Sequence, residues 1–283
     1  MAKFILSGFA DEIDPMLDAQ IEGLRRLQIH HLEIRAADGK NIADFSPAEA
    51  KALRGRLDDA GIAVSAIGSP IGKIGIEEPF APHLERFKNV LEIAQLLSAP
   101  YIRLFSFFMP EGEDPELHAG EVLRRMGAFV DAARGSCVVL LHENEKAIYG
   151  DVPSRCLTLL KAFPGELFAT YDPSNFVQCG VSNLLAFEAL LPYVRYVHMK
   201  DSLAEDQMPK RDHGAEGVSD AHRPVGLGDG ELEYILHRLR DENYEGFLSI
   251  EPHLSATNLF GETGFERFAT ATKALRSLLA GLG

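Results

Sequence analysis

The chain has 283 residues, 46% of them hydrophobic, which is enough for one large α/β barrel or two small domains with a well-buried core. With 42 acidic against 28 basic residues its net charge is -14, which repels phosphodiester backbones and anionic membrane surfaces, so neither nucleic acid nor membrane is an expected partner. Cys137, Cys156 and Cys179 are odd in number, far apart and without CxxC spacing, and the apolar run at the amino terminus is too short for a signal-peptide core; a soluble, cytoplasmic protein is expected.

Strand and helix signals then alternate along the whole sequence. Strands are predicted near residues 4–9, 31–35, 63–68, 101–105, 137–143, 167–172, 195–198 and 247–251, from runs rich in β-branched, aromatic and leucine residues. Between them, Ser46-Pro47-Ala48-Glu49 combines an N-cap serine, a first-turn proline and a glutamate placed for a capping box, and Gly61 follows the stripe Ala50, Leu53, Leu57. Phe80, Leu84, Phe87, Leu91 and Ala94 recur at helical steps, and Asp114-Pro115 is expected to open a helix through Leu123, Met126 and Val130. About eight βα units and no linker composition predict an α/β fold, a single (β/α)8 TIM barrel spanning residues 1–283. The long irregular stretch at about 202–230, carrying Arg211, His213, His222 and Arg223 before PVGLGDG, is expected to cover the site, with a solvated excursion as the alternative.

The last four strand runs, CVVLLHE, LFATYD, VRYVH and GFLSIE, end in Glu143, Asp172, His198 and Glu251. In a parallel barrel these ends converge at one mouth. Two glutamates, an aspartate and a neutral imidazole make an oxygen-rich set that suits Mn²⁺, Mg²⁺ or Co²⁺, with Zn²⁺ compatible. Taken singly, each has a plainer use: Asp172 as an N-cap before Pro173, His198 as a core histidine, Glu143 and Glu251 as solvated loop acids.

HEN, YDPSN, YVHMKD and SIEPH, in that order, resemble the xylose isomerase-like barrel superfamily, in the branch with tagatose and psicose 3-epimerases and inosose dehydratases. The resemblance covers nearly the whole chain. It implies that Glu143, Asp172, His198 and Glu251 bind one divalent ion, commonly Mn²⁺, that Glu143 and Glu251 act as acid and base on opposite faces of a ketose, and that the barrel forms a homodimer. The pattern departs at Asn175, an amide where those epimerases often have a second histidine.

The chemistry expected of such a site is proton abstraction next to a carbonyl through a metal-stabilised enediolate. Proton return gives epimerisation or isomerisation of a sugar, keto-sugar or polyol-derived ketone; loss of a β-hydroxyl gives an inosose-type dehydratase, and loss of an aglycone a 3-keto-glycoside lyase. Lys146 is expected as an additional acid or base, and Arg35, Lys73, Arg103, Asn175, Lys200 and Arg223 as substrate-binding residues. His142, alternating with Glu143, is expected to point away from the site. A noncatalytic sugar-binding barrel is the alternative from another class.

Overall fold

The structure, a computed structural model, describes residues 2–205, 221–255 and 260–282. Eight strands, β1 (Lys3–Gly8), β2 (His31–Ile34), β3 (Ala63–Gly68), β4 (Tyr101–Leu104), β5 (Val139–Glu143), β6 (Leu167–Tyr171), β7 (Val194–Met199) and β8 (Glu245–Ile250), form one sheet in the order β1-β8-β7-β6-β5-β4-β3-β2. Every pairing in it is parallel, and β1 and β2, at the two ends of the order, also pack on each other. The result is a nearly closed (β/α)8 TIM barrel. Parallel neighbours cannot be joined by a tight hairpin, so helices make the return crossings and all eight carboxyl ends open on one face.

Side-chain alternation divides the apolar residues into two layers. Outward positions such as Leu32, Val64, Leu140 and Leu248 pack under the helices, whereas Ala66, Leu141 and Tyr196 form a separate cluster with Tyr101, Val139, Phe168 and Phe247. Above this inner layer, Ser7 Oγ meets Ser65 Oγ at 2.6 Å and Ser65 Oγ meets the Tyr196 hydroxyl at 2.8 Å. The same inward parity then delivers Arg103, Glu143, His198 and Glu251 to the mouth.

The register slips in two places, between Leu32 and Glu33 on β2 and between Ala169 and Thr170 on β6. Such irregularities re-aim side chains near sites, and here one directly precedes Glu33 and the other comes two residues before Tyr171 and Asp172 at the end of β6.

The helix Pro47–Ala60 has the expected capping box between Ser46 and Glu49 and ends at Gly61 with φ 68. The Asp114-Pro115 signal behaves differently. Asp114 caps a 3-10 turn, Pro115–His118, and the α-helix itself is Ala119–Ala133. The turn buries none of its side chains, so the tertiary packing that sustains a regular helix starts only with Val122 and Met126. Among the described residues no helix is long and apolar enough to cross a membrane.

Candidate metal centre

Glu143 closes β5, Asp172 follows β6, His198 is the penultimate residue of β7 and Glu251 follows β8. One ligand atom from each lies within 4.8 Å of all the others, and all four residues are buried. His198 Nδ1 sits at the centre, 3.2 Å from Glu251 Oε2, 3.5 Å from Glu143 Oε1 and 3.6 Å from Asp172 Oδ2. Among the described residues, Glu143 Oε2, His198 Nδ1 and Glu251 Oε2 are buried without a hydrogen-bond partner. Buried polar atoms are normally satisfied, and unsatisfied atoms on three of the four clustered residues fit a cation site. The donor set, rich in carboxylate oxygen with one imidazole nitrogen, fits a divalent cation.

Each ligand candidate is held from behind. His198 Nε2 faces Glu33 at 3.2 Å, and Phe9 packs edge-on to the imidazole at 5.3 Å between ring centroids. A proton on Nε2 shared with Glu33 leaves the Nδ1 lone pair turned into the cluster. Asp172 divides its oxygens: Oδ1 accepts from the Asn175 backbone N–H as N-cap of the Pro173–Gln178 helix, and Oδ2 faces the cluster. The capping role and the ligand role therefore coexist in one carboxylate. Asn175 Nδ2 donates to Glu143 Oε1 at 3.0 Å and to the Asn144 carbonyl at 2.9 Å, while its Oδ1 accepts from Lys200 Nζ at 2.8 Å. Arg35 Nη1 and His253 Nε2 hold Glu251 Oε1 at 3.2 and 3.3 Å, and Asp11 and Glu12 anchor Arg35 and His253 in turn.

The electrostatics follow from this crowding. Burial works against the Glu143 carboxylate, but Arg103 and His198 outweigh it and bring the group down to about 2. Glu251 likewise lies well below the carboxylate range, because Lys200, His198 and His253 overcome its burial. The His198 imidazole is pushed the other way: burial disfavours its charge, yet Glu33, Glu143 and Glu251 raise it well above the ordinary value. Lys200 is also raised, by Asp172, Glu251 and Glu143 acting against burial.

A cavity of about 130 Å³ opens over the cluster, lined by Glu143 and Glu251 together with Arg35, Lys73, Arg103 and Lys200. Those four cations were among the substrate-binding candidates, and the barrel brings them together. Asn175 lies behind the cavity wall, between Glu143 and Lys200, where it positions other groups rather than facing the opening. Lys146 is exposed on the loop after β5 and does not line the cavity. Arg223, half-buried in a two-residue strand paired with Asp201, does not line it either. Arg211 and His213 lie outside the described residues, as does the middle of the 202–230 stretch; its end reaches the rim, where the His222 ring stands 5.3 Å from that of His253. His142 faces away from the cluster and bonds Ser106 Oγ at 3.0 Å.

Local pattern carries little signal for Glu33, Glu12 and Asp201. Glu33 is one polar residue near the end of β2, and its partner His198 is 165 positions away. Asp201 accepts backbone N–H bonds from Ser202, Gly226, Gly228 and Gly230, which gathers the PVGLGDG segment around one buried carboxylate. The alternating glycines are the signal: a Cβ on Gly228 would lie 2.6 Å from the Ser202 carbonyl oxygen.

The family model described as xylose isomerase-like TIM barrel matches residues 23–278. The chain belongs to that family. Solved structures of similar fold include a D-tagatose 3-epimerase-like protein (16% identity, 99% of this chain and 98% of that one, TM-score 0.75). The IolI protein with a bound zinc atom is 15% identical over 99% of both chains, with TM-score 0.77. The probable 3-DHS dehydratase AsbF of Bacillus anthracis is 15% identical over 98% of this chain and 99% of that one, with TM-score 0.73. At these identities the likeness is one of fold. A sequence search of curated proteins gives no match. The xylose isomerase-like barrels include epimerases, isomerases and dehydratases, mostly sugar-processing enzymes.

Proposed function

We propose that this xylose isomerase-like barrel is a divalent-metal-dependent enzyme that removes a proton next to the carbonyl of a keto-sugar or polyol-derived ketone and returns it, as an isomerase or epimerase. The observation that carries this reading is the convergence of one ligand atom each from the buried residues Glu143, Asp172, His198 and Glu251, all within 4.8 Å of one another, beside a cavity lined with cations. Glu143, Asp172, His198 and Glu251 are the proposed metal ligands. A divalent ion held there supplies Lewis-acid polarisation of the carbonyl, which makes the neighbouring C–H acidic enough to remove.

The chain's own groups divide the remaining work. Glu143 and Glu251 are both ionised at neutral pH and both reach the cavity, so either is a proton acceptor by charge and place. Their strong cationic neighbours make them weak bases, and the reaction must loosen one of those contacts before the proton moves. Arg103 and Lys200 stand where negative charge develops on substrate oxygen. Lys200, inside the cavity, is a better placed acid than the exposed Lys146, and we assign it that role. Arg35 holds Glu251 against the β1 acids and positions it. We also take residues 1–283 to act as one catalytic unit, with the 202–230 stretch at its rim.

A second reading, dehydration, is favoured by the same lysine: its protonated amine faces the cavity and can hand its proton to a departing hydroxyl once substrate draws it away from Asp172. The test is proton NMR of Mg²⁺-loaded protein in D₂O with ketoses, inososes and 3-keto-glycosides. Metal-dependent loss of a C–H signal next to the carbonyl is expected. Products of unchanged mass support epimerisation or isomerisation, loss of water supports dehydration, and no exchange with any of these compounds despite metal binding refutes both.

A further inference from the structure

The cavity's cations are not equally committed. Arg35 is bound by Asp11 at 2.7 Å and Lys200 by Asp172 at 3.0 Å, so each is largely neutralised by an acid. Arg103 is different. It is only 5% exposed and lines the cavity, yet among the described residues its Nε has no hydrogen-bond partner and its one ion pair is with Glu143 Oε2 at 3.2 Å. That oxygen is itself without a hydrogen bond. A guanidinium that served only as counter-ion to Glu143 would present its N–H groups in line with the carboxylate, as bidentate pairs do. Leaving a buried charged donor unmet is costly, and an acceptor entering the cavity relieves that cost.

Lys73 gathers at the same corner. Its Nζ stands 4.2 Å from the centre of the Phe105 ring, and Arg103 Cζ stands 4.6 Å from the same ring, so one buried aromatic bears both cations. Lys73 is paired at 2.9 Å with Glu145, which lines the cavity beside it. The backbone makes room for this arrangement: a Cβ on Gly68, at the end of β3, would lie 2.6 Å from Phe9 and 3.1 Å from Arg103 Nη2. A neutral polyol needs hydrogen-bond donors and acceptors in balance, whereas this corner offers a planar fork of donors and an ammonium. Planar, bidentate donors match a carboxylate.

We propose that the substrate carries a carboxylate, seated against Arg103 and Lys73 beside Phe105, so that the enzyme acts on an acidic keto-polyol rather than a neutral sugar. This rests on the metal-dependent reading above and narrows it to a substrate class. The cavity, about 130 Å³, is well below the ~300–1,000 Å³ of pockets for drug-sized ligands, in keeping with a small acid.

The test uses matched pairs on Mg²⁺-loaded protein by titration calorimetry: D-tagatose against D-tagaturonate and D-fructose against D-fructuronate, with D-fructose 6-phosphate as a third arm. Each acid is expected to bind about tenfold or more tightly than its neutral partner, with the advantage shrinking as salt is raised. Lys73→Met and Arg103→Gln are each expected to reduce that ratio, and Mg²⁺ affinity is measured in parallel on every variant. Equal affinity within each pair, no binding of either member, preference for the phosphate ester, or a ratio retained in both variants overturns the proposal. If Mg²⁺ binds while the acids gain nothing, the substrate class alone fails; if Mg²⁺ does not bind, the metal-dependent reading fails and this proposal with it.

Discussion

Asn175 Nδ2 donates to Glu143 Oε1 at 3.0 Å, joining the first turn of the helix after β6 to the end of β5. The amide is locked by its other partners, the Asn144 carbonyl and Lys200 Nζ, so it sets the rotamer of Glu143 rather than following it. Asn175→Ala should weaken Mg²⁺ or Mn²⁺ binding about tenfold, the low end of what outer contacts to metal ligands are worth. Calorimetric titration checks this, and an unchanged dissociation constant would show that Glu143 is held by Arg103 alone.

Glu33 does the same for His198. Glu33→Gln keeps the shape but lets the amide turn either its oxygen or its nitrogen toward Nε2, and Glu33→Ala removes the partner altogether. We expect a loss of roughly 10–100-fold in metal affinity, larger for alanine than for glutamine. Equal affinities in wild type and both variants would mean that packing against Phe9 suffices to orient the ring.

Glu251→Gln removes a charge from the cluster and a proton acceptor from the cavity. Metal affinity should fall and turnover should be largely lost, as followed by titration and by C–H exchange in D₂O. A variant with near-normal turnover would take Glu251 out of the catalytic pair.

Asp201 receives four backbone N–H groups, which offset the burial that raises its carboxyl above the usual range. Asp201→Asn leaves one acceptor oxygen and sets an NH₂ against N–H groups. A destabilisation of about 2–4 kcal/mol is expected from the loss of charged hydrogen bonds and the new mismatch, read from urea unfolding. A midpoint within error of wild type would be the contrary result.

His83 is buried and its Nε2 accepts from the Gly72 N–H at 2.7 Å, so folding favours the neutral ring and burial takes it down to about 4. His142, also buried, is lowered to about 4 for the same reason. Below the ordinary histidine value of about 6.5 the unfolded chain binds protons that the folded one does not. These histidines therefore contribute stability fully above about 6.5, and that contribution is lost as the pH falls from there toward 4. Urea midpoints between pH 7 and 4.5 should decline, and His83→Gln should flatten the decline. A slope identical to wild type would assign the acid sensitivity elsewhere.

Much of this molecule could be read from the chain alone, for a physical reason. Periodicities of two and of 3.6, the Ser46–Glu49 cap and the stop at Gly61 are local properties, so the alternation of strands and helices, and with it the barrel, followed from the sequence. The placement of Glu143, Asp172, His198 and Glu251 at successive strand ends was equally local, since parallel strands carry their last residues to the same face. What the sequence left open depends on which strands stand across the mouth from one another. Glu33 meets His198 and Arg35 meets Glu251 only once the barrel closes, Arg103 meets Glu143 across the paired strands β4 and β5, and no local pattern encodes those distances. The same holds for the lysines: Lys146 and Lys200 read alike as loop cations, but one turn of chain geometry leaves the first exposed and buries the second beside Asp172. Local sequence thus determined the scaffold and its ring of polar ends, while closure of the barrel decided which charges meet and which guanidinium was left with donors to spare.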